Sequence, residues 1–462
     1  MSRHARSLTR KLAELIVQSD PLNDAAALEA AREGVLDWFA SILAARSDCG
    51  ADKIEAALSV PLRQRESEAP HVPSSTVIGR GYRLPPPDAA MINGYLSHAL
   101  DYDDVHESMR GHPSAVLLPA LMAEAEARRL GGADVLSAYV IGVETMCRLG
   151  LALGRRHYEA GWHNTATIGA VGAAAACARL IGLDAEKTVH AVSLAATQSA
   201  GLRVQFGSDA KPLHAGLAAR AGLLAARLAA SGVQGAEEPL AGKIGFLSIF
   251  GGGQAVEDKV VDSWGQPWQI VEPGLWLKLY PCCSAAHHAA DAALAIRAAH
   301  APDPAGIADV TAAFPPGGDA ALVIREPKTG VEGRFSVEYV IAAALIHGEL
   351  GLDVFSDRPV DESVRALARK VRRVYDGETA PAPEAMPKGR FTIVTVTMKD
   401  GTSYTERVDC PRGAPGRPLS AEERLLKYED AVQGLPEPWH ALPSRIARLE
   451  RIADISDLLP DI

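Results

Sequence analysis

Residues 93–119 read NGYLSHALDYDDVHESMRGHPSAVLLP. A helix from about residue 88 to 100 runs into this stretch, and a second one, opened by Pro113, runs out to about residue 130 before Gly131 and Gly132 stop it. The connection holds three aspartates (Asp101, Asp103, Asp104) and three histidines (His98, His106, His112) between apolar, alanine-rich flanks. A solvated interhelical loop would also carry polar residues. Titratable groups this dense beside a core are costly unless they are paired, bonded or used, and perturbed groups gather at functional sites.

Outward from there, the N-terminal two thirds reads as helix. KLAELIVQS and DAAALEAAREGVLDWFASILAAR have helical apolar spacing, with Asp24 as an N-cap and Trp38 and Phe39 as core. Residues 61–88 are rich in Pro and Gly and contain the short apolar piece STVIG. Residues 164–181 are small and apolar on nearly every face, which predicts a helix inside a bundle. Alanine-rich helices continue to about residue 265.

The texture changes near residue 267. ADVTAAF (308–314) reads as a strand, and RFTIVTVTMKDGTSYTERVDC as a hairpin turning at Asp400-Gly401. DESVRALARKVRRVYD reads as a helix that is basic on one face, and LSAEERLLKYEDAV returns to helix. The expected architecture is mainly α: an all-helical domain of residues 1–266 and 413–462, and a smaller α+β lid domain of residues 267–412.

The 462 residues carry a formal net charge of −10, which argues against nucleic acid as the partner. No apolar run reaches the roughly 18 residues of a membrane span, and no h-region of a signal peptide is visible. Six cysteines without a CxxC make neither a disulfide framework nor a common zinc pattern. A cytoplasmic protein is expected.

Three helix starts share one grammar. His112-Pro113 opens HPSAVLLPAL, Trp162-His163 precedes NTATIGAVGAAAA, and Lys211-Pro212 opens KPLHAGLAARAG. A residue before proline is pushed to extended geometry, and proline suits a first helical turn, so His112 and Lys211 should stand at helix mouths. Free N–H groups and the positive dipole end lie there too. Such cations are electrostatically awkward alone, and an anion completes the set. If the three starts converge, they form a pocket for a carboxylate-bearing ligand; otherwise each residue merely caps its helix.

Other features carry less. FGGGQ lacks the strand–loop–helix setting of a phosphate cradle. His287 and His288 open a helix together, where neighbouring side chains point apart, so one of them faces the pocket. Cys282 and Cys283 read as buried inert thiols or as nucleophiles, and Tyr339 as a core residue or a pocket acid. DYDDVHE loosely resembles a magnesium–diphosphate motif of prenyl-transfer enzymes, but no second such motif follows and only 5% of residues are aromatic. A non-catalytic helical scaffold is the other alternative.

Five segments in order, NGYLSHALDYDDVHESMRGHPSA, GWHNTATIGAVGAAAA, FGSDAKPLHAGLAA, YPCCSAAHHAADA and FSVEYVIAAALIHG, resemble successive signatures of the MmgE/PrpD family over nearly the whole chain. The resemblance implies a homodimer and cofactor-free, metal-free chemistry on a small di- or tricarboxylate substrate. The expected reaction is a 2-methylcitrate dehydratase-like or decarboxylating lyase step, or epimerisation of an amino- or imino-dicarboxylate. Carried over by position, Asp101, His112, His163, Lys211 and Tyr339 are the expected catalytic residues. His287, His288, Arg110 and Ser208 are expected to bind substrate. Val105 stands where the family often has Thr or Ser, so one hydroxyl contact is missing. His112 or His163 would move a proton near neutral pH, and Asp101 would orient a histidine or Lys211.

Overall fold

The computed structural model describes residues 7–58 and 73–460. Residues 61–72 of the 61–88 loop expectation therefore fall outside the described residues; the described part carries a two-stranded hairpin of β1 (Ser75–Val77) and β2 (Tyr82–Leu84), with STVIG entering β1.

The helical unit begins with α1 (Leu8–Gln18), α2 (Ala25–Ala44) and α3 (Cys49–Ala57). The Asp24 carboxylate accepts from the backbone N–H groups of Ala26 and Ala27, which makes it the expected cap. Next come α4 (Pro86–Ala99), α5 (Ser114–Arg128), α6 (Gly132–Glu159), α7 (Asn164–Leu180), α8 (Ala185–Ala196), α9 (Ala210–Ala230) and the short α10 (Phe246–Phe250). By length and composition α6 could cross a bilayer, but 94% of its most apolar window is buried inside the protein. It packs there against α7, whose alanine and glycine faces are buried as expected.

Two helices set the site's geometry. α4 and α9 run antiparallel: Asp88 meets Arg220 near one end and Asp101, just past α4, meets Lys211 at the other. Midway, a Cβ on Gly216 would fall 2.1 Å from the Met91 carbonyl oxygen, and one on Gly94 would fall 2.7 Å from the Gly216 Cα. Only glycine permits this approach.

The second unit has its own core around Phe314, Phe355 and Val394. It contains α11 (Ser284–His300), β3 (Ile307–Phe314), α12 (Gly330–Gly333), α13 (Val337–His347), α14 (Glu362–Ala368), β4 (Val371–Tyr375), β5 (Thr392–Met398) and β6 (Ser403–Val408). The sheet order is β4-β3-β5-β6, with β3 and β4 parallel and the other pairs antiparallel. The expected hairpin is β5–β6, turning at Gly401 with φ 90°. The basic segment 361–376 is only half helix: α14 stops at Ala368 and VRRVY pairs with β3 instead. Helix propensity yields there to β-branched residues on a waiting strand edge.

Finally α15 (Ala421–Ala431), opened by a capping box of Ser420 and Glu423, packs on α2. The core of the helical unit includes Trp264, Trp268, Ile270 and Tyr428, so that core takes in chain from both ends of the α+β segment.

Candidate active site

Five chain segments meet at one buried cluster: the end of α4, the 101–113 loop between α4 and α5, the start of α7, the start of α9, and the segment leading into α11. Asp101 takes a left-handed backbone, φ 52°, which Asp tolerates better than most side chains. Its carboxylate then meets Lys211, Nζ to Oδ2 2.7 Å, and Lys278, whose Nζ also donates to the Asp101 carbonyl at 2.8 Å. Val105 and Trp276 exchange backbone hydrogen bonds of 2.9 Å, which fastens the loop to the strand-like segment bearing Lys278. At Gly111 a Cβ would meet Thr165 Oγ1 at 2.9 Å, so only glycine lets the loop close on α7.

Asp103 faces two imidazoles. His98 Nδ1 lies 2.9 Å and His112 Nδ1 3.1 Å from its oxygens, and His112 Nδ1 is also 2.8 Å from the Asp104 carbonyl. The His98 ring centroid is 4.3 Å from that of His112 and 6.0 Å from that of His163. His98 Nε2 is buried without a hydrogen-bond partner. The Lys211 ammonium lies over the Phe206 and Phe335 rings at 5.3 and 5.0 Å, a partly apolar seat with one carboxylate partner.

Burial opposes charge on Asp101, Asp103, Lys278 and the three imidazoles; charged neighbours outweigh it at the carboxylates and Lys278, and burial wins at the imidazoles. Burial pushes Asp101 up, but Lys211, Lys278 and the imidazoles outweigh it and hold it well below the usual carboxylate range. Asp103 is likewise held well below that range against burial, by His98 and His112. Burial pushes His98 down to about 4 despite Asp103. His112 and His163 are pushed down by burial too, His163 well down with His98 and Lys211 adding to it. Burial therefore favours the neutral form of each imidazole in the free protein, opposed at His98 and His112 by the Asp103 carboxylate.

The structure brings together Asp101, His112, His163 and Lys211. His163 is the N-cap of α7, and His112 precedes Pro113, the N-cap of α5. Lys211 departs from its expected extended backbone. The helix starts one residue earlier, at Ala210, and Pro212 falls in the first turn, where a missing N–H costs nothing.

The remaining candidates make their contacts elsewhere. The Tyr339 hydroxyl donates to the Val354 carbonyl, and burial raises its pKa to about 12. It lines a separate cavity of about 590 Å³ with Arg325, Lys328, Arg365 and Arg369. Ser208 is exposed and accepts from the Ala210 N–H at 3.3 Å, a helix-start contact. Arg110 is partly buried, with Arg155, Glu107 and Glu159 as its charged neighbours. His288 reaches the Met386 carbonyl at 3.0 Å, pointing away from His287. His287 is 3.3 Å from the Cys282 carbonyl and packs on Trp276 and Tyr280, on the Lys278 side. Both thiols of the Cys pair are buried and pushed up by burial, as inert cysteines are.

Lys278 was not anticipated. Its signal is a lone lysine within LWLKLYP, an apolar run where an unpaired charge would not be tolerated. His98 and Asp103 lie inside the opening stretch without a spacing that separates them from their neighbours. His98, Asp101, Asp103 and His112 could converge on a cation, with one ligand atom each within 4.8 Å of the others. The donor set fits poorly. Asp101 already accepts from two ammonium groups and Asp103 faces two imidazoles, so a cation would sit against Lys211 and Lys278.

Known proteins bear on this geometry. Models of the MmgE/PrpD N-terminal domain and the MmgE/PrpD C-terminal domain match residues 7–259 and 280–447. The chain belongs to the MmgE/PrpD family. This member is an enzyme of the carbon–oxygen or carbon–carbon lyase class. It is 30% identical over 402 residues to the cis-aconitate decarboxylase of Mus musculus, covering 83% of this chain and 79% of that protein. The Homo sapiens cis-aconitate decarboxylase is 29% identical, at 83% and 80% coverage. That of Aspergillus terreus is 30% identical over 409 residues, at 83% and 82%.

Proposed function

We propose that this MmgE/PrpD lyase works without metal, moving a proton next to a carboxylate of a small tricarboxylate, with loss of CO2 from cis-aconitate as its leading activity. The observation that carries the reading is Asp101 bridging two buried lysines, Lys211 and Lys278, beside His98, His112 and His163. The two ammonium groups offer charge-assisted bonds to substrate carboxylates. A bound polyanion raises the proton affinity of the neutral imidazoles around it, so one of them becomes an imidazolium as substrate enters. The bond to the departing carboxylate then breaks. Its electron pair forms a new double bond, the old double bond takes the imidazolium proton at carbon, and CO2 leaves. Lys211 and Lys278 stabilise the negative charge that develops on the remaining carboxylates.

The names of the relatives support decarboxylation ahead of the 2-methylcitrate-like dehydration expected from the motifs. Dehydration would use the same imidazoles in pairs, one taking a proton from carbon and one giving it to the leaving hydroxyl. The same reading carries a homodimer and a cytoplasmic location. The test is turnover by full-length protein dialysed against chelator, with cis-aconitate, 2-methylcitrate and an amino-dicarboxylate offered separately. CO2 release from cis-aconitate at an undiminished rate after dialysis is expected. Turnover of the amino-dicarboxylate alone, or activity that tracks a stoichiometric metal, would sink the reading.

A further inference from the structure

Decarboxylation has a proton balance that the fold must serve. Carbon takes one proton from the protein per turnover while CO2 leaves without one, so the donor must be reloaded from water. His98, His163 and Lys211 are at most 4% exposed. A side-chain hydrogen-bond contact of His163 leads outward: its Nδ1 lies 3.0 Å from Nδ1 of His214, one turn beyond Lys211 on α9, with ring centroids 5.3 Å apart. His214 is partly exposed. Two Nδ1 atoms at that distance make a hydrogen bond only when one ring donates and the other accepts, so the rings share one proton along this contact. The ionisable groups around the pair are Lys211, His98 and His112. Burial and then Lys211 lower the proton affinity of His214, and burial, His98 and Lys211 lower that of His163 further, so the proton moves inward once bound substrate carboxylates raise the affinity of His163.

We propose that His214 is the proton relay that reloads His163 from solvent: as His163 gives its Nε2 proton to carbon, protonated His214 passes its Nδ1 proton to Nδ1 of His163, and reorientation of the rings resets the tautomers so that His214 takes the next proton from water. The inference rests on the reading of His163 as a group that moves the proton, and it adds a role for a residue that need not touch substrate.

Two measurements on the full-length protein test it. With 15N-labelled histidine, the substrate-free wild type should show one ring of the pair as the Nδ1–H tautomer, and His214→Ala should shift the ring nitrogens of His163. With cis-aconitate in dilute buffer, His214→Ala and His214→Gln should lower kcat by at least about tenfold with KM unchanged, since general acid–base contributions run well above that. Added imidazole should restore the kcat of His214→Ala and leave wild type unchanged. A melting temperature near wild type certifies the variants as folded. A His163→Ala variant separates the two readings. If it turns over normally, the proton-donor assignment fails. If it is inactive while His214→Ala runs at the wild-type rate in dilute buffer, the relay is overturned. A kcat loss that imidazole does not relieve, or His163 nitrogens unmoved by His214→Ala, also overturns it, and the second holds even if cis-aconitate is not turned over.

Discussion

Asp101 holds two ammonium groups at once, and that makes the two lysines unequal. Lys278 is fully buried and bonds both the carboxylate and the carbonyl of Asp101, while Lys211 bonds the carboxylate alone and otherwise faces two aromatic rings. Lys211→Met leaves Asp101 paired with Lys278, so its stability cost should stay below the ~3–5 kcal/mol of a fully broken buried pair. Its cost to function should be larger. A lost charge-assisted bond to a carboxylate is worth about 1.5–3 kcal/mol, hence at least roughly a tenfold fall in kcat/KM. A rise in KM alone would mean Lys211 only binds substrate; a fall in kcat would mean it also stabilises the transition state. Wild-type kinetics in this variant would remove Lys211 from the site. At this scale helix-start chemistry, which is local, pointed to His112, His163 and Lys211, and the family resemblance added Asp101. It missed Lys278, whose partner lies 177 positions away, and it placed Tyr339 in the pocket although its hydroxyl is committed to Val354.

Elements deliver these residues through contacts that no local pattern announces. One of them is made by α15. Lys427 on that helix is buried and gives its ammonium to Asp37 Oδ1 on α2 at 2.6 Å, the Tyr102 carbonyl at 2.8 Å and the Lys278 carbonyl at 2.9 Å. Those two carbonyls belong to the residue after Asp101 and to Lys278 itself, so one ammonium clamps both sides of the site. Burial lowers the pKa of Lys427 and raises that of Asp37, and each partner offsets part of the other's cost. Lys427→Met should therefore destabilise by about 3–5 kcal/mol in urea unfolding, because it strands a buried carboxylate. Adding Asp37→Asn should recover part of that loss. Additive costs in the double variant would show that the pair is not coupled. The helix capped by Asp24 was legible because capping is a short-range exchange of hydrogen bonds. The VRRVY segment was not, because its strand state depends on β3, 61 positions earlier in register at Val310.

Across the whole molecule, the division into a helical core and a second core around a four-stranded sheet followed from texture alone, since helical and alternating periods bury different faces. What texture could not give is how many ionisable groups the two cores enclose, and that governs the response to acid. Burial pushes His98, His106 and His157 down to about 4, and His287 and His288 to about 3. In the unfolded chain each returns to about 6.5. Between those values the unfolded state binds more protons, so stability falls as pH drops from about 6.5 towards 4. Asp101 and Asp103 have the opposite shift, held well below 3.8, and their contribution is lost only below that value. The histidines therefore act first. Each pKa unit is worth about 1.4 kcal/mol, and five such groups rival the ~5–15 kcal/mol that holds a domain folded. The melting temperature at constant ionic strength should be level from pH 8 to 7 and fall steeply between pH 6.5 and 5, ahead of any carboxylate protonation. A melting temperature unchanged down to pH 4.5 would mean that these imidazoles, His98 of the site among them, are not held neutral by burial.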